Sequence, residues 1–98
     1  MLQDLTHTQF AGCLNKRFRI YADTASFDVE LIQAEALGSH HDRSARRESF
    51  SLVFRGPLQP VLPQRIYRLE HEGLGTLEIF LVPVGPDKDG MRYEAVFN

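Results

Sequence analysis

A polar run near the middle of the chain holds the residues best suited to bind a metal ion. His40, His41 and Asp42 are adjacent, and imidazole nitrogens and carboxylate oxygens are common zinc ligands. Neighbouring ligands in a loop still need a third or fourth donor with supporting hydrogen bonds. The other two histidines, His7 and His71, are far away in sequence. We therefore predict a solvated loop here, with no metal site and no cofactor.

Three arginines in the same run could instead hold an anion. Arg43, Arg46 and Arg47 carry guanidinium groups, which match the geometry of phosphate oxygens. Acidic residues flank them, and no aromatic residue lies between them to stack on a base. The chain has 11 basic and 13 acidic residues and a net charge of -2, so it lacks the basic surface that attracts nucleic acids. We expect a charged, solvated loop, with an anion site as the alternative, and no nucleic-acid partner.

Three glutamates lie around a glycine-rich turn in the second half of the chain. Glu70 and Glu72 precede the turn at residues 73–75, and Glu78 follows it. We expect Glu70 to lie opposite Glu78 in a hairpin, and paired carboxylates can act as acid and base. The same register puts them on the outward side beside Arg68, where no desolvated cleft perturbs a carboxyl group. Catalysis is therefore not expected from these glutamates.

One histidine, His71, is predicted to point into the core beside Leu77. Such a histidine usually bonds one ring nitrogen to a turn carbonyl and stabilises the turn. A catalytic role would need a nearby nucleophile, for which Cys13 and Ser51 are the candidates. Cys13 is the only cysteine, and on an apolar helix face it behaves as a small hydrophobic residue. We predict a structural role for His71 and assign no catalytic residue.

The elements that position these residues begin with one short helix. Thr6 and Gln9 are spaced for a capping box, in which each side chain bonds to the backbone N–H of the other residue. Phe10, Cys13 and Leu14 then recur at helical spacing and form one apolar stripe. This pattern predicts a two-turn helix over residues 6–14.

After the helix, apolar residues alternate with polar ones, which is typical of β-strands with one buried face. Strands are predicted over residues 16–22, 27–36, 48–55, 64–71, 76–84 and 91–97. The turns between them set registers, and the predicted partners are Arg19 with Glu30, Ile20 with Val29, His71 with Leu77, and Pro83 with Tyr93. The pattern predicts a mainly β (α+β) fold in one domain over residues 1–98. We expect a six-stranded antiparallel β sandwich or a partly open barrel with one short N-terminal helix.

The predicted strand at residues 76–84 is apolar on both faces, whereas a half-exposed strand normally carries polar groups outside. We expect the N-terminal helix to cover its outward side through Leu5, Phe10 and Leu14, since α+β folds commonly cover one sheet face with helix. Without that cover the outward residues would form an interface, because contiguous apolar area usually marks an interaction site. This outer strip consists of Ile66, Phe80, Val82, Val84 and Val96.

Several segments resemble a family of short bacterial proteins of about this length that is known only as a domain of unknown function. They are FSLVFRGP at 50–57, LPQRIY at 62–67, LEHEGLG at 69–75, FLVPVG at 80–85 and YEAVFN at 93–98. The similarity covers nearly the whole chain and is strongest from Phe50 onward. It implies a single domain with at most an accessory or assembly role, and it brings no catalytic residue.

The sequence favours a non-enzymatic protein that acts through protein–protein contact, as a homodimer or as an accessory or assembly subunit. The outer strip motivates this expectation. The longest apolar run, residues 79–84, is far shorter than the about 20 residues that a membrane helix needs, and the N-terminus does not resemble a signal peptide. We therefore expect a cytoplasmic protein without a membrane partner.

The alternative function is a small-molecule binder or a minor enzyme. Its pocket would lie in the mouth of a barrel, near Tyr67, His71 and Tyr93. A ligand that raises the melting temperature through a pocket containing His71 would favour this alternative over protein contact.

Overall fold

The computed structural model describes residues 6–36 and 49–97, which form one short helix and six antiparallel strands. The strands are hydrogen-bonded in the order β1-β2-β3-β6-β5-β4, and β4 pairs with β1 to close a barrel. The predicted mainly β fold is confirmed, and of the predicted architectures the barrel is observed, fully closed. The elements are α1 His7–Ala11, β1 Arg17–Ala22, β2 Ala25–Ala36, β3 Phe50–Gly56, β4 Arg65–His71, β5 Gly75–Asp87 and β6 Gly90–Phe97.

The barrel interior is filled by the apolar residues that alternate along each strand. Leu77, Ile79 and Leu81 of β5 are all buried, as their alternation predicted. A barrel of this size has room inside only for side chains, so the interior is a packed core. The largest fully buried side chains come from α1 and every strand, and they are Phe10, Phe18, Ile20, Leu31, Leu52, Phe54, Tyr67, Leu69, Ile79, Leu81 and Tyr93.

Helix α1 closes one end of the barrel. The predicted capping box is present, with the Thr6 hydroxyl accepting from the Gln9 N–H and the Gln9 side chain accepting from the Thr6 N–H. Phe10 is fully buried against Phe50 and Phe97, with ring centroids 5.8 Å apart in both pairs. The helix ends at Ala11, short of the predicted residue 14. Asn15 turns the chain with a φ of 67° and donates its N–H to β2.

The hairpin of β1 and β2 is tighter than predicted. The prediction placed a four-residue connection after Ala22, but the turn holds only residues 23 and 24. Ile20 therefore pairs with Phe27 instead of Val29. Asp23 takes a φ of 56° in this turn, a conformation that aspartate tolerates better than most residues. The predicted register was wrong by two residues.

The hairpin of β4 and β5 is shifted in the same way, because His71 pairs with Gly75 instead of Leu77. The predicted pairing of Pro83 with Tyr93 between β5 and β6 is observed. Side chains alternate between the two faces of a strand, so a shift of two residues leaves each of them on its predicted face. The predicted core therefore survives both register errors.

Candidate functional site

The outer strip is exposed in the structure. Ile66 is 63% exposed, Phe80 48%, Val84 41% and Val96 53%, and Val82 is half-buried. Ile66 and Phe80 are direct partners on β4 and β5. Val96 lies on β6, which is the other neighbour of β5. The strip therefore crosses the outward face of three adjacent strands.

Helix α1 does not cover the outer strip, so the expectation that it would is wrong for the described part of the helix. It packs against β2, which is separated from β5 by two strands in either direction around the barrel. Its Phe10 inserts at the barrel end beside Phe50 and Phe97. Leu14 remains 37% exposed, and Leu5 lies outside the described residues.

Charged residues border the outer strip on both sides. Toward the α1 end of the barrel, Arg68 and Glu78 are direct partners on β4 and β5. Toward the other end, Glu94 lies opposite Val82, and Arg92 donates through Nε to a backbone carbonyl of β5. Neither glutamate takes part in an ion pair within residues 6–36 and 49–97. We call Arg68, Glu78, Arg92 and Glu94 the charged border.

The closure of β4 onto β1 gives Arg68 and Glu70 partners that the sequence did not reveal. The Arg68 guanidinium lies over the Tyr21 ring, 4.5 Å from its centroid. The Tyr21 hydroxyl donates to Glu70 Oε1 at 2.6 Å, and this hydrogen bond raises the pKa of Tyr21. The strand partner of Glu70 is Thr76, so the expected pairing with Glu78 is wrong. Glu70 is therefore bonded to Tyr21, and Glu78 lies opposite Arg68.

His71 fastens the turn between β4 and β5. Its Nδ1 accepts from the N–H groups of Gly73 at 3.0 Å and Leu74 at 3.2 Å. The ring is half-buried and stacks on Phe18, with centroids 4.6 Å apart. The turn partners are thus amides, where the sequence predicted a carbonyl. Because Nδ1 acts as the acceptor, the neutral ring carries its hydrogen on Nε2.

Cys13 lies beside His71, with Sγ 4.0 Å from Nδ1. No spacing motif connects these residues, which are 58 positions apart, so only the fold brings them together. Burial raises the pKa of the Cys13 thiol, whereas a nucleophilic cysteine needs a lowered pKa. The Nδ1 atom that would take the thiol proton already accepts two backbone N–H groups. This pair is therefore poorly arranged for nucleophilic catalysis.

An open groove of about 400 Å³, lined in part by His71, lies across β1, β2, β4 and the start of β5. Arg19 and Asp28 form an ion pair there at 3.5 Å, and both side chains are more than half exposed. Ligand pockets usually bury their ligand among apolar side chains, and this lining is mostly charged. Its charged members are Arg17, Arg19, Asp28, Glu70 and Glu72.

Tyr67 and Tyr93 do not form a pocket with His71. Both tyrosines are buried, and their hydroxyls hold the connection between β3 and β4 at the end of the barrel opposite α1. Tyr93 accepts from the Leu62 N–H, and Tyr67 donates to the Pro63 carbonyl. His71 lies four residues further along β4 than Tyr67, about 13 Å away. The structure thus separates the three residues that the sequence grouped.

An ion pair between β3 and the tip of the β5–β6 hairpin was not predicted from the sequence. Arg55 donates from Nε and one terminal nitrogen to both carboxylate oxygens of Asp87, at 2.7–3.2 Å. These bonds, together with the backbone N–H groups of Asp89 and Gly90, lower the pKa of Asp87 to about 2. The turn composition around Asp87 indicates an Asx turn, but nothing local identifies its arginine.

The metal and anion candidates of the polar run lie outside the described residues, and those interpretations stay predictions. The metal candidates are His40, His41 and Asp42, and the anion candidates are Arg43, Arg46 and Arg47. Among the residues that the structure does describe, no group of three histidine, cysteine or acidic side chains could hold a metal ion. The same part of the chain contains no helix with the length and apolar character needed to cross a membrane.

Comparison with protein families matches the chain to the model of a family described as Domain of unknown function (DUF6916), over residues 5–97. The match agrees with the resemblance noted in the sequence. Among curated proteins and among solved structures, nothing matches this chain.

Proposed function

Since the chain belongs to the DUF6916 family, whose description names no activity, we propose its function from its own surface: it acts through protein–protein contact at the outer strip. The observation that carries the proposal is the exposure of Ile66, Phe80, Val84 and Val96 on adjacent strands. These side chains expose on the order of 300–400 Å² together, which is the size of the largest apolar patches on monomers, and such patches are often functional.

The contact takes place through side chains. Every described strand of the closed barrel has a neighbour on both sides, so a partner has no free edge to extend by strand addition. A partner must therefore pack its own apolar side chains on the strip, as two sheets pack face to face.

The proposal includes a non-enzymatic role in the cytoplasm of a bacterium, as an accessory or assembly subunit or a homodimer. The raised pKa of Cys13 and the occupied Nδ1 of His71 support a role without catalysis.

Affinity capture with matched variants tests the proposal. The strip variant carries Ile66→Ser and Phe80→Ser, and the control carries Leu58→Ser and Val61→Ser, two residues that are 53% and 51% exposed. We expect the wild type and the control to retain a protein, either a second copy or another chain, that the strip variant loses. Equal retention by all three forms would contradict the proposal.

A small-molecule site is the second candidate, and the groove beside His71 favours it. Its mixed charges suit a small polar molecule that carries both a cationic and an anionic group. A thermal-shift screen against such molecules tests it, with Arg17→Met and Glu72→Gln as variants of the groove. A ligand that stabilises the wild type and neither variant would support the site. Stabilisation of all three forms, or of none, would remove it.

A further inference from the structure

We infer that the partner of the outer strip is a second copy of this chain, packed face to face across β5. The inference rests on the proposed function and adds the identity of the partner. It requires a two-fold axis that runs along β5 past Phe80, so that each copy presents the same surface to the other. Phe80 then lies against Phe80 of the second copy.

The strand order makes the outer strip self-complementary about this axis. Ile66 on β4 pairs with Phe80. On the other side of β5, Val82 pairs with Glu94, so Val96, two residues further along β6, lies level with Phe80. A half-turn about β5 exchanges the β4 and β6 sides, and Ile66 of each copy meets Val96 of the other. Apolar side chains therefore face apolar side chains.

The size of the strip fits the core of such an interface. A stable interface buries about 800 Å² on each partner, and the strip supplies on the order of 300–400 Å² of apolar surface. Interfaces surround an apolar centre with a polar rim. Here the charged border occupies the position of that rim, on both sides of Phe80.

The signs of the charged border also favour a second copy. It contains two arginines and two glutamates, so two copies meet without net repulsion. A border of one sign would select a partner of the opposite sign, whereas a mixed border can pair with itself. A half-turn about β5 keeps each residue at its own level along the strand, so Glu78 of one copy lies beside Glu78 and Arg68 of the other. Within the described residues neither Glu78 nor Arg68 has an ion pair, which leaves the two glutamates and two arginines able to pair across the interface.

Cross-linking through an introduced cysteine tests the axis. Facing sheets lie about 10 Å apart, beyond the reach of a disulfide, so a short bismaleimide is the reagent. We expect the reagent to join the introduced cysteines of two Phe80→Cys chains. Leu58→Cys has similar exposure outside the strip and should stay uncrosslinked, as should the wild type, whose Cys13 is buried.

A mixing experiment tests the exchange of sides. Ile66→Cys chains mixed with Val96→Cys chains should form cross-linked pairs in higher yield than either variant alone. A higher yield from either variant alone would contradict the axis along β5.

Sedimentation velocity over a range of concentrations tests the partner itself. We expect a monomer–dimer equilibrium that Phe80→Ser weakens about tenfold or more, as for an aromatic side chain at the centre of an interface. Leu58→Ser should leave it unchanged. Circular dichroism verifies that each variant is folded, and Val96→Ser replaces Phe80→Ser if that variant is not.

The outcomes separate this inference from the proposed function. A wild type that stays monomeric at every concentration overturns the inference that the partner is a second copy. The proposed function still stands in that case if the variant with Ile66→Ser and Phe80→Ser loses a different captured protein. A dimer that Phe80→Ser does not weaken, or in which Phe80→Cys fails to cross-link, also overturns the inference.

Discussion

The hydroxyl of Tyr93 accepts a hydrogen bond from the backbone N–H of Leu62 at 2.9 Å. Tyr93 is 1% exposed and Leu62 7%. The bond ties the connection between β3 and β4 to β6, and Leu62 closes the end of the barrel opposite α1. A buried N–H that loses its acceptor is costly, because folding has already removed it from water.

Tyr93→Phe is therefore expected to lower the free energy of unfolding by about 1–3 kcal/mol. Tyr67→Phe removes a donor from the carbonyl of Pro63, an exposed residue, and water can replace that donor, so its loss should be smaller. Urea unfolding of the two variants measures both values. An unchanged free energy of unfolding in Tyr93→Phe would show that the Leu62 N–H finds another acceptor, and equal losses in the two variants would contradict the expected difference between them.

The anchoring of α1 gives a second pair of variants. Phe10→Ala removes a fully buried ring from between Phe50 and Phe97 and should cost about 3–5 kcal/mol. Thr6→Ala removes only the cap and should cost about 1 kcal/mol. Chemical unfolding measures both losses in the free energy of unfolding. A smaller loss for Phe10→Ala than for Thr6→Ala would contradict the role of α1 in closing its end of the barrel.

Hydrogen exchange tests the role of His71 in its turn. His71→Leu removes the acceptor of the Gly73 and Leu74 N–H groups, so both should exchange faster than in the wild type. His71→Asn keeps an acceptor near the position of Nδ1, because asparagine bonds to the N–H two residues ahead. It should retain more protection at Gly73. Unchanged exchange in His71→Leu would contradict the role.

The pair of Arg55 and Asp87 predicts a dependence of stability on pH. The pKa of Asp87 is lowered from 3.8 to about 2 in the folded chain, so folding favours the ionised carboxylate. Its contribution is present above about pH 4 and is lost as the pH falls to about 2. Asp87→Asn should lower the melting temperature near neutral pH. The difference in melting temperature between the wild type and this variant should narrow as the pH falls from about 4 to about 2.

The control for this prediction is Asp89→Asn, in the same turn and exposed. Its side chain does not bond to Arg55 within the described residues, so its effect on the melting temperature should be small. A difference for Asp87→Asn that persists down to about pH 2 would show that the ion pair is not its source.

The predicted registers show what the alternation of polar and apolar residues can determine and what it cannot. The sequence paired Arg19 with Glu30, and the structure pairs it with Asp28. Both pairings put opposite charges on the outside and apolar residues inside, so the pattern alone could not distinguish them. Turn length decides between the two registers, and Asp23 made the turn shorter than its polar composition indicated.

The candidate sites also differ in whether the alternation of residues along a strand could predict them. The outer strip was predicted as a set, because its members follow from the two-residue period of β4, β5 and β6. The grouping of Tyr67, His71 and Tyr93 was wrong, because the prediction did not place these residues along the length of the barrel. The contact of Cys13 with His71 and the pair of Arg55 with Asp87 join distant segments, and no local spacing signals them.

The sequence by itself determined which side of each strand faces the core, because side-chain direction depends only on position within a strand. It also determined the cap of α1, which Thr6 and Gln9, three positions apart, complete locally with their own side chains and backbone N–H groups. The tertiary structure decided the closure of β4 onto β1, the placement of α1 at the barrel end and the exposure of the outer strip. Those features depend on which distant surfaces pack together, and packing is a property of the whole chain.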